Sequence, residues 1–208
     1  MRFDIGNKKA FMKSLNDYYK STNSSEIMNI CIDSRYISKK DIFVAIKGKN
    51  TNGHLYIDDA ISDGASIIMC EEEKCSHNKC LYSESNYIAL QKIAASYRKK
   101  ITTPIIGITG SNGKTTTKEL LTHILNKKMN VISTEGNYNS TLSVPLSLFG
   151  LNNNYNVSVI EMGASNPGEI ETICEFTKPD MGIITNISNS HISSYKNIEE
   201  ILEDPLEI

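Results

Sequence analysis

The apolar residues of this chain fall into short β-branched runs separated by longer segments with helical spacing. The runs end at polar or glycine residues, which is typical of buried strands. They occupy residues 30–32, 41–48, 66–70, 105–109, 131–134, 157–161 and 181–185. Apolar residues recur every three or four positions in 11–18, 55–63, 86–100, 120–125 and 168–177, and this spacing predicts helices.

The predicted strands and helices alternate along the chain, with a linker at residues 101–104. Repeated β-α units favour an α/β fold on parallel sheets, in which ligands collect at the carboxyl ends of the strands. We therefore predict two domains. A small α/β domain occupies residues 1–100, and a domain of the P-loop type with a parallel sheet occupies residues 101–208.

The strand at residues 105–109 leads into a glycine loop and then a helix, which is the arrangement of a phosphate-binding site. Gly110 and Gly113 allow backbone N–H groups to approach an anion, and the helix N-terminus adds the positive end of its dipole. Lys114 is placed to reach the β- and γ-phosphates, and the Thr115 hydroxyl to hold Mg²⁺. These residues predict a nucleotide site.

The loop differs from the common G-x-x-x-x-G-K-[ST] pattern, which would have a glycine in place of Ile108. The sequence here is the shorter T-G-S-N-G-K-T. A chance Gly-Lys-Thr at an ordinary strand–helix turn is the alternative interpretation. The strand before the loop and the helix after it favour the nucleotide site.

Other polar residues follow strands of the same predicted sheet. Glu161 ends an apolar strand, where an acidic side chain could hold Mg²⁺, although a solvated acid is the alternative. His191 lies beyond the last strand and is a candidate metal ligand or phosphate contact, or a surface histidine. Asn137 and Asn139 are turn formers or amide donors to phosphate, and the sequence leaves both interpretations open.

Composition and charge exclude several classes of protein. The net charge of −2 provides no positive field for nucleic acid. No apolar run approaches the roughly 18 residues of a membrane span. The first residues lack the apolar region of a signal peptide, so we expect a cytoplasmic protein.

Several segments, in order along the chain, resemble those of the Mur ligases. In the second half they are the ATP loop at 109–116, an E-M-G-A…G-E-I signature at 161–170 and a T-N-I…H segment at 185–191. In the first half, segments 33–35, 41–48 and 53–54 are similar to the UDP-sugar domain of that family. The resemblance extends over nearly the whole chain from about residue 30.

The resemblance implies an ATP- and Mg²⁺-dependent amide ligase of peptidoglycan precursor synthesis. In the branch with the E-M-G-A signature, ATP phosphorylates a carboxylate of UDP-N-acetylmuramoyl-tripeptide, and the amine of D-alanyl-D-alanine attacks the acyl phosphate. The implied catalytic residues are Lys114 and His191, and the implied metal ligands are Thr115, Glu161 and His191. The implied ATP contacts are Thr109, Gly110, Ser111, Asn112, Gly113, Lys114, Thr115, Thr116 and Asn137, and the implied UDP contacts are Ser34, Arg35, Gly53 and His54.

Three departures from the family pattern change what we expect of this chain. Pro205 stands where the family has a metal-ligating lysine, the loop at 139–143 is altered, and the sequence stops at Ile208, before the family's amine-substrate site. We therefore expect an incomplete ligase that is, by itself, weak or inactive. Separately, we expect the chain to be a monomer. The alternatives are a non-catalytic UDP-sugar or nucleotide-binding module, and a related ligase such as the third-residue-adding Mur ligase or folylpolyglutamate synthase.

Overall fold

The computed structural model describes residues 1–20, 27–48, 50–71 and 77–188. The chain divides into two compact units, Met1–Tyr97 and Arg98–Ile208. Each unit contains a sheet with parallel strands and connecting helices, which confirms the predicted α/β class. In the described part of the chain, no helix is both long and apolar enough to cross a lipid bilayer.

The first unit is built on a five-stranded sheet in the order β1-β2-β3-β4-β5. Its strands are β1 (Arg2–Asp4), β2 (Asn29–Cys31), β3 (Ile42–Val44), β4 (Ile67–Cys70) and β5 (Cys80–Tyr82). β1 runs antiparallel to β2, and the other neighbouring pairs are parallel. The three middle strands are buried at every residue, as expected for apolar runs covered on both faces.

Three α-helices accompany this sheet: α1 (Lys8–Tyr19), α2 (Ile57–Ser62) and α3 (Asn86–Arg98). Ala60 of α2 packs in one apolar cluster with Phe43 and Ile68 of the sheet. The rings of Phe11 and Tyr97 meet edge to face with centroids 6.3 Å apart. The apolar spacing in the sequence therefore identified the helices that build this core.

The sequence analysis assigns no strand to β1 or β5. Each has only three residues, and most of their side chains are partly or fully exposed, so neither shows an apolar run. They are strands because their backbones pair with β2 and β4 at the two edges of the sheet. Local sequence carries little of that information.

The second unit contains a four-stranded parallel sheet in the order β7-β8-β6-β9. Its strands are β6 (Ile105–Thr109), β7 (Val131–Ser133), β8 (Val157–Glu161) and β9 (Met181–Ile184). Helices α4 (Lys114–Leu125), α5 (Ser143–Phe149) and α6 (Glu169–Thr177) connect successive strands. The chain passes from one side of β6 to the other between β8 and β9, so the carboxyl end of β6 lies at a ligand-binding crevice.

Helix α5 has no counterpart in the sequence analysis. Six of its seven residues are buried, so it has no polar face to reveal a helical period. Pro145 lies in its first turn, where a missing N–H is tolerated.

Only part of the apolar face that the sequence predicts for helix α4 packs against the sheet. Leu121 and Leu125 pack against the apolar core, as expected. Leu120 and Ile124 are 59% and 63% exposed, whereas Lys118 is fully buried. Lys118 shares a face with Leu121 and Leu125 because residues three and seven positions apart align on a helix.

Candidate functional site

Residues 110–113 join β6 to α4 and form the predicted phosphate-binding loop, called the phosphate loop below. Gly110 begins this loop, and only glycine fits its position. Its φ of +129° is rarely adopted by residues with a side chain. A Cβ atom at Gly110 would lie 2.3 Å from Thr185 Oγ1 and 2.8 Å from the carbonyl oxygen of Asn186. The loop after β9 therefore approaches the phosphate loop closely enough to exclude a methyl group.

The segment after β9 braces the phosphate loop through several hydrogen bonds. The amide of Ser111 donates to Asn186 O at 2.8 Å, and the amide of Asn112 donates to Asn186 Oδ1 at 3.0 Å. The Thr185 hydroxyl donates to Asn112 O at 2.6 Å, and the Ser188 amide donates to Ser111 Oγ at 2.9 Å. Ser111 and Asn112 thus have structural partners in addition to their predicted ATP contacts.

The N-terminus of α4 is open to an anion. Gly113 precedes the helix with φ of +81°, and no side chain in the described part of the chain caps it. A Cβ at Gly113 would meet nothing within 4 Å. Thr115 and Thr116 in the first turn are exposed, whereas Thr109 is buried at the end of β6. Uncapped N–H groups and the helix dipole together suit a phosphate group.

Lys114 lies folded over the loop rather than extended into solvent. Its ammonium donates to the carbonyl oxygens of Gly110 and Ser111, the latter at 3.2 Å. Partial burial lowers the pKa of Lys114, and the negative charge of Glu161 acts in the opposite direction. Lys114 therefore sits where it can exchange carbonyl contacts for a bound phosphate.

Glu161, at the carboxyl end of β8, is 1% exposed and asymmetrically bonded. Its Oε1 accepts from Thr115 Oγ1 at 3.2 Å and from Asn139 Nδ2 at 2.7 Å. Its Oε2 is buried and finds no hydrogen-bond donor among the described residues. Such an orphaned anionic oxygen is costly unless a cation or donor completes the site.

The arrangement fits a magnesium ion. Mg²⁺ prefers oxygen ligands and is commonly held by one or two carboxylates together with substrate phosphates. Thr115 and Glu161 provide a hydroxyl and a carboxylate 3.2 Å apart. No group of three or more His, Cys, Asp or Glu side chains suited to a metal occurs in residues 1–20, 27–48, 50–71 and 77–188. His191 lies outside these residues.

The sequence analysis missed Lys118, whose ammonium lies beside this carboxylate. Lys118 Nζ donates to Thr134 O at 2.7 Å and to Gly136 O at 3.2 Å, and it lies 4.0 Å from Glu161 Oε2. The Glu161 amide in turn donates to Thr134 Oγ1 at 3.0 Å. One signal in the sequence could have found Lys118, because it follows Lys114 by one helical turn.

Of the two asparagines after β7, the structure brings Asn139 to the carboxylate. Asn139 donates to Glu161, and its backbone carbonyl accepts from the Gly163 amide at 2.8 Å. Asn137 is exposed, and its carbonyl oxygen accepts from the Asn139 amide at 2.8 Å. Contact between Asn137 and ATP stays a prediction.

A pocket of about 390 Å³ in the first unit contains three of the four predicted UDP contacts, Ser34, Arg35 and Gly53. It lies beyond the carboxyl ends of the parallel strands β2 and β3, where ligands collect in such sheets. Phe43 and Ile46 give it an apolar wall. The pocket therefore combines an apolar surface with hydroxyl and guanidinium donors.

Arg35 forms a two-point ion pair with Asp33 at the mouth of this pocket. The Nε–Oδ1 and Nη2–Oδ2 distances are 2.9 and 2.6 Å. The Arg35 side chain donates these hydrogen bonds and lowers the pKa of Asp33 to about 2. The guanidinium remains 79% exposed and carries five N–H donors, so it can also meet an anion.

His54 is already engaged at both ring nitrogens. Nδ1 lies 2.8 Å from Asn52 Oδ1, and Nε2 accepts from the Glu71 amide at 2.9 Å. Because Nε2 accepts, the proton resides on Nδ1. His54 thus ties the turn that carries Gly53 to the end of β4, and direct contact with UDP stays a prediction.

Two family models match the chain over most of its length. The Mur ligase middle domain matches residues 108–208, and the catalytic domain of the Mur ligase family matches residues 26–104. The chain belongs to the Mur ligase family. The phosphate loop, Glu161 and Asn139 of this Mur ligase chain lie in the middle-domain match, and the 390 Å³ pocket lies mostly in the other.

Several relatives of this Mur ligase chain carry the name UDP-N-acetylmuramoyl-tripeptide–D-alanyl-D-alanine ligase. The one from Buchnera aphidicola subsp. Baizongia pistaciae is 36% identical over 192 residues, covering 91% of this chain and 42% of the relative. MurF ligase from Thermotoga maritima, solved with ADP, is 35% identical with a TM-score of 0.81, over 86% of this chain and 42% of that one. MurF from Acinetobacter baumannii is 26% identical with a TM-score of 0.86, and the match covers 100% of this chain and 46% of that one. The chain thus spans about two fifths of the length of these proteins.

Proposed function

We propose that this chain is the UDP-precursor- and ATP-binding portion of a ligase that joins D-alanyl-D-alanine to UDP-N-acetylmuramoyl-tripeptide. The names of its relatives and the ADP complex of a MurF with the same fold support this function. The observation that carries the ATP site is the buried Glu161 Oε2, an anionic oxygen without a described donor beside Thr115.

In this proposal the loop residues bind and orient the phosphates of ATP. The amides of Gly113 and the first turn of α4 donate hydrogen bonds to phosphate oxygens, and Lys114 leaves the loop carbonyls to contact the β- and γ-phosphates. Thr115 and Glu161 would hold Mg²⁺, with Asn139 fixing the orientation of the carboxylate. When bound, Mg²⁺ neutralises negative charge on the phosphates during phosphoryl transfer.

The pocket of the first unit would receive the uridine diphosphate end of the precursor. The apolar wall of Phe43 and Ile46 suits a base, and Ser34 and Arg35 suit hydroxyl and phosphate groups. Asp33 fixes the direction of the Arg35 guanidinium through two hydrogen bonds. The pair therefore presents the remaining guanidinium donors in a defined orientation.

Calorimetry with the purified chain tests the nucleotide site. We expect Mg²⁺-dependent binding of ADP that falls at least about tenfold in Lys114→Ala, because a charge-assisted phosphate contact is lost. Lys127→Ala removes an exposed lysine just beyond α4 and should bind ADP like the wild type. Equal affinity in all three proteins would contradict the site.

Phosphate release in the presence of ATP, UDP-N-acetylmuramoyl-tripeptide and D-alanyl-D-alanine tests the reaction. We expect little or none from this chain, because Pro205 stands in the place of the family's lysine. Release that needs both substrates and disappears in Lys114→Ala would mean that the family's lysine, which Pro205 replaces here, is dispensable. Precursor binding without any ADP binding would favour the non-catalytic binding module.

A further inference from the structure

Lys118 is a fully buried lysine beside the proposed magnesium site, and the mechanism above gives it no task. Lysine is almost never fully buried unless it is paired. Lys118 follows Lys114 by four positions and Thr115 by three, so α4 presents all three side chains to the carboxyl end of the sheet.

The Lys118 ammonium has three N–H donors, and three acceptors lie within hydrogen-bond distance. They are Thr134 O at 2.7 Å, Gly136 O at 3.2 Å and Glu119 Oε1 at 2.9 Å. Glu161 Oε2 is 4.0 Å away and accepts no hydrogen bond from the described residues. Lys118 therefore balances the charge of Glu161 without occupying this oxygen.

The balance of charge disfavours a metal ion that arrives without a nucleotide. Among the described residues, Lys114 and Lys118 act on one buried carboxylate, Glu161, while Glu119 is 63% exposed at the rim. A divalent cation bound to Glu161 Oε2 alone would be repelled by the nearby Lys118 ammonium. Phosphate groups would supply both the missing negative charge and further oxygen ligands.

We propose that Lys118 is a positioning residue that disfavours a free divalent cation at Glu161 and makes its binding depend on nucleotide phosphates. This inference rests on the proposed ATP site. The competing explanation is a purely structural role, in which Lys118 only ties α4 to Thr134 and Gly136. Loss of a structural tie would loosen Glu161 and weaken metal binding, so the two explanations predict changes of opposite sign.

Mn²⁺ titrations of the full chain, followed by electron paramagnetic resonance, separate the two roles. Without nucleotide, Lys118→Met should bind Mn²⁺ at least fivefold more tightly than the wild type, because the repelling charge is gone. The factor by which ADP raises Mn²⁺ affinity should fall at least fivefold. Adding Glu161→Gln should remove the gain, and Lys127→Met should resemble the wild type.

Circular dichroism and thermal unfolding establish whether the variants are folded, and Lys118→Gln replaces Lys118→Met if the latter is not. Free Mn²⁺ affinity that is unchanged or weaker in the folded variant overturns the proposal. A wild-type chain that binds no ADP overturns the proposed ATP site instead. Even then, comparing the Mn²⁺ affinity of the wild type with that of the Lys118 variant tests whether Lys118 repels the ion, because these titrations contain no nucleotide.

Discussion

Glu161 shows how one side chain acquires a chemical role from unequal surroundings. Two donors, Thr115 and Asn139, hold its Oε1, while its Oε2 has a charged neighbour but no described hydrogen bond. The first oxygen fixes the orientation of the carboxylate, and the second is available to a cation. In a solvent-exposed acid at the end of a strand, water would surround both carboxylate oxygens equally, and the two would not have separate roles.

Replacing Glu161 by glutamine tests this division. Glu161→Gln keeps the shape and one acceptor oxygen, but it removes the negative charge that a divalent ion requires. In the wild type, Mg²⁺ should raise the affinity for ADP by a certain factor. We expect that factor to be at least about tenfold smaller in Glu161→Gln, which is the size of effect seen when groups around a metal are replaced. Calorimetry with Mg²⁺ and with a chelator measures this factor, and the exposed Glu135→Gln is the control. An unchanged Mg²⁺ effect in Glu161→Gln would contradict the metal site.

The Asp33–Arg35 pair predicts a pH effect in the first unit. The pKa of Asp33 is lowered from 3.8 to about 2 in the folded chain. The pair therefore stabilises the fold above pH 3.8 and loses this contribution as the pH falls through about 2. A carboxyl ¹³C titration should show the low pKa in the wild type and a value near the ordinary one in Arg35→Gln. A low pKa retained in Arg35→Gln would mean that another group is responsible.

Among the connecting elements, the loop between β6 and α4 depends most on glycine. Alanine at Gly110 would place its methyl group 2.3 Å from Thr185 Oγ1, in a backbone conformation with φ of +129°. Gly168, before α6, also has positive φ, but a Cβ there meets nothing within 4 Å. Comparing alanine substitutions at Gly110 and Gly168 therefore separates the effect of the steric clash from that of backbone strain.

We expect Gly168→Ala to lower the free energy of unfolding by about 1 to 2 kcal/mol, the cost of the left-handed conformation. Gly110→Ala should lower it by more, because the clash adds to the same strain, and should also weaken ADP binding. Urea unfolding and calorimetry measure both effects. Equal losses of stability in the two variants would contradict the close approach of the loop after β9.

For the chain as a whole, the two candidate binding sites lie in different compact units and use different residues. Arg35→Ala should weaken binding of the UDP precursor at least about tenfold and leave ADP affinity unchanged, because a charge-assisted contact is lost in the first unit only. Lys114→Ala should weaken ADP binding and leave the affinity for the UDP precursor unchanged. Calorimetry on the full chain with each ligand measures this, and a variant that loses both ligands equally while folded would contradict two separate sites.

Most of the helices and buried strands could be predicted from the sequence, because their apolar spacing is a local property. β6 and β8 are apolar runs buried at every residue, and the strands and helices alternate as a parallel sheet requires. The last predicted strand is present as β9, but it lies at an edge of the sheet and is mostly exposed, so its prediction as a buried strand was wrong. β1 and β5 could not be predicted, because three exposed or half-exposed residues become a strand only by pairing. α5 is buried nearly all round, so it lacks the polar face on which periodicity depends.

The sequence by itself predicted a phosphate-binding loop in this Mur ligase chain, because the glycines, Lys114 and Thr115 lie within a few residues on a strand–loop–helix unit. It could not reveal the surroundings of Glu161. Asn139 and Lys118 reach this carboxylate from elements 22 and 43 residues away, and Lys118 is buried where the apolar pattern favoured Leu120 and Ile124. The folded sheet brings these side chains together, because the burial of a charge depends on partners that are distant in sequence.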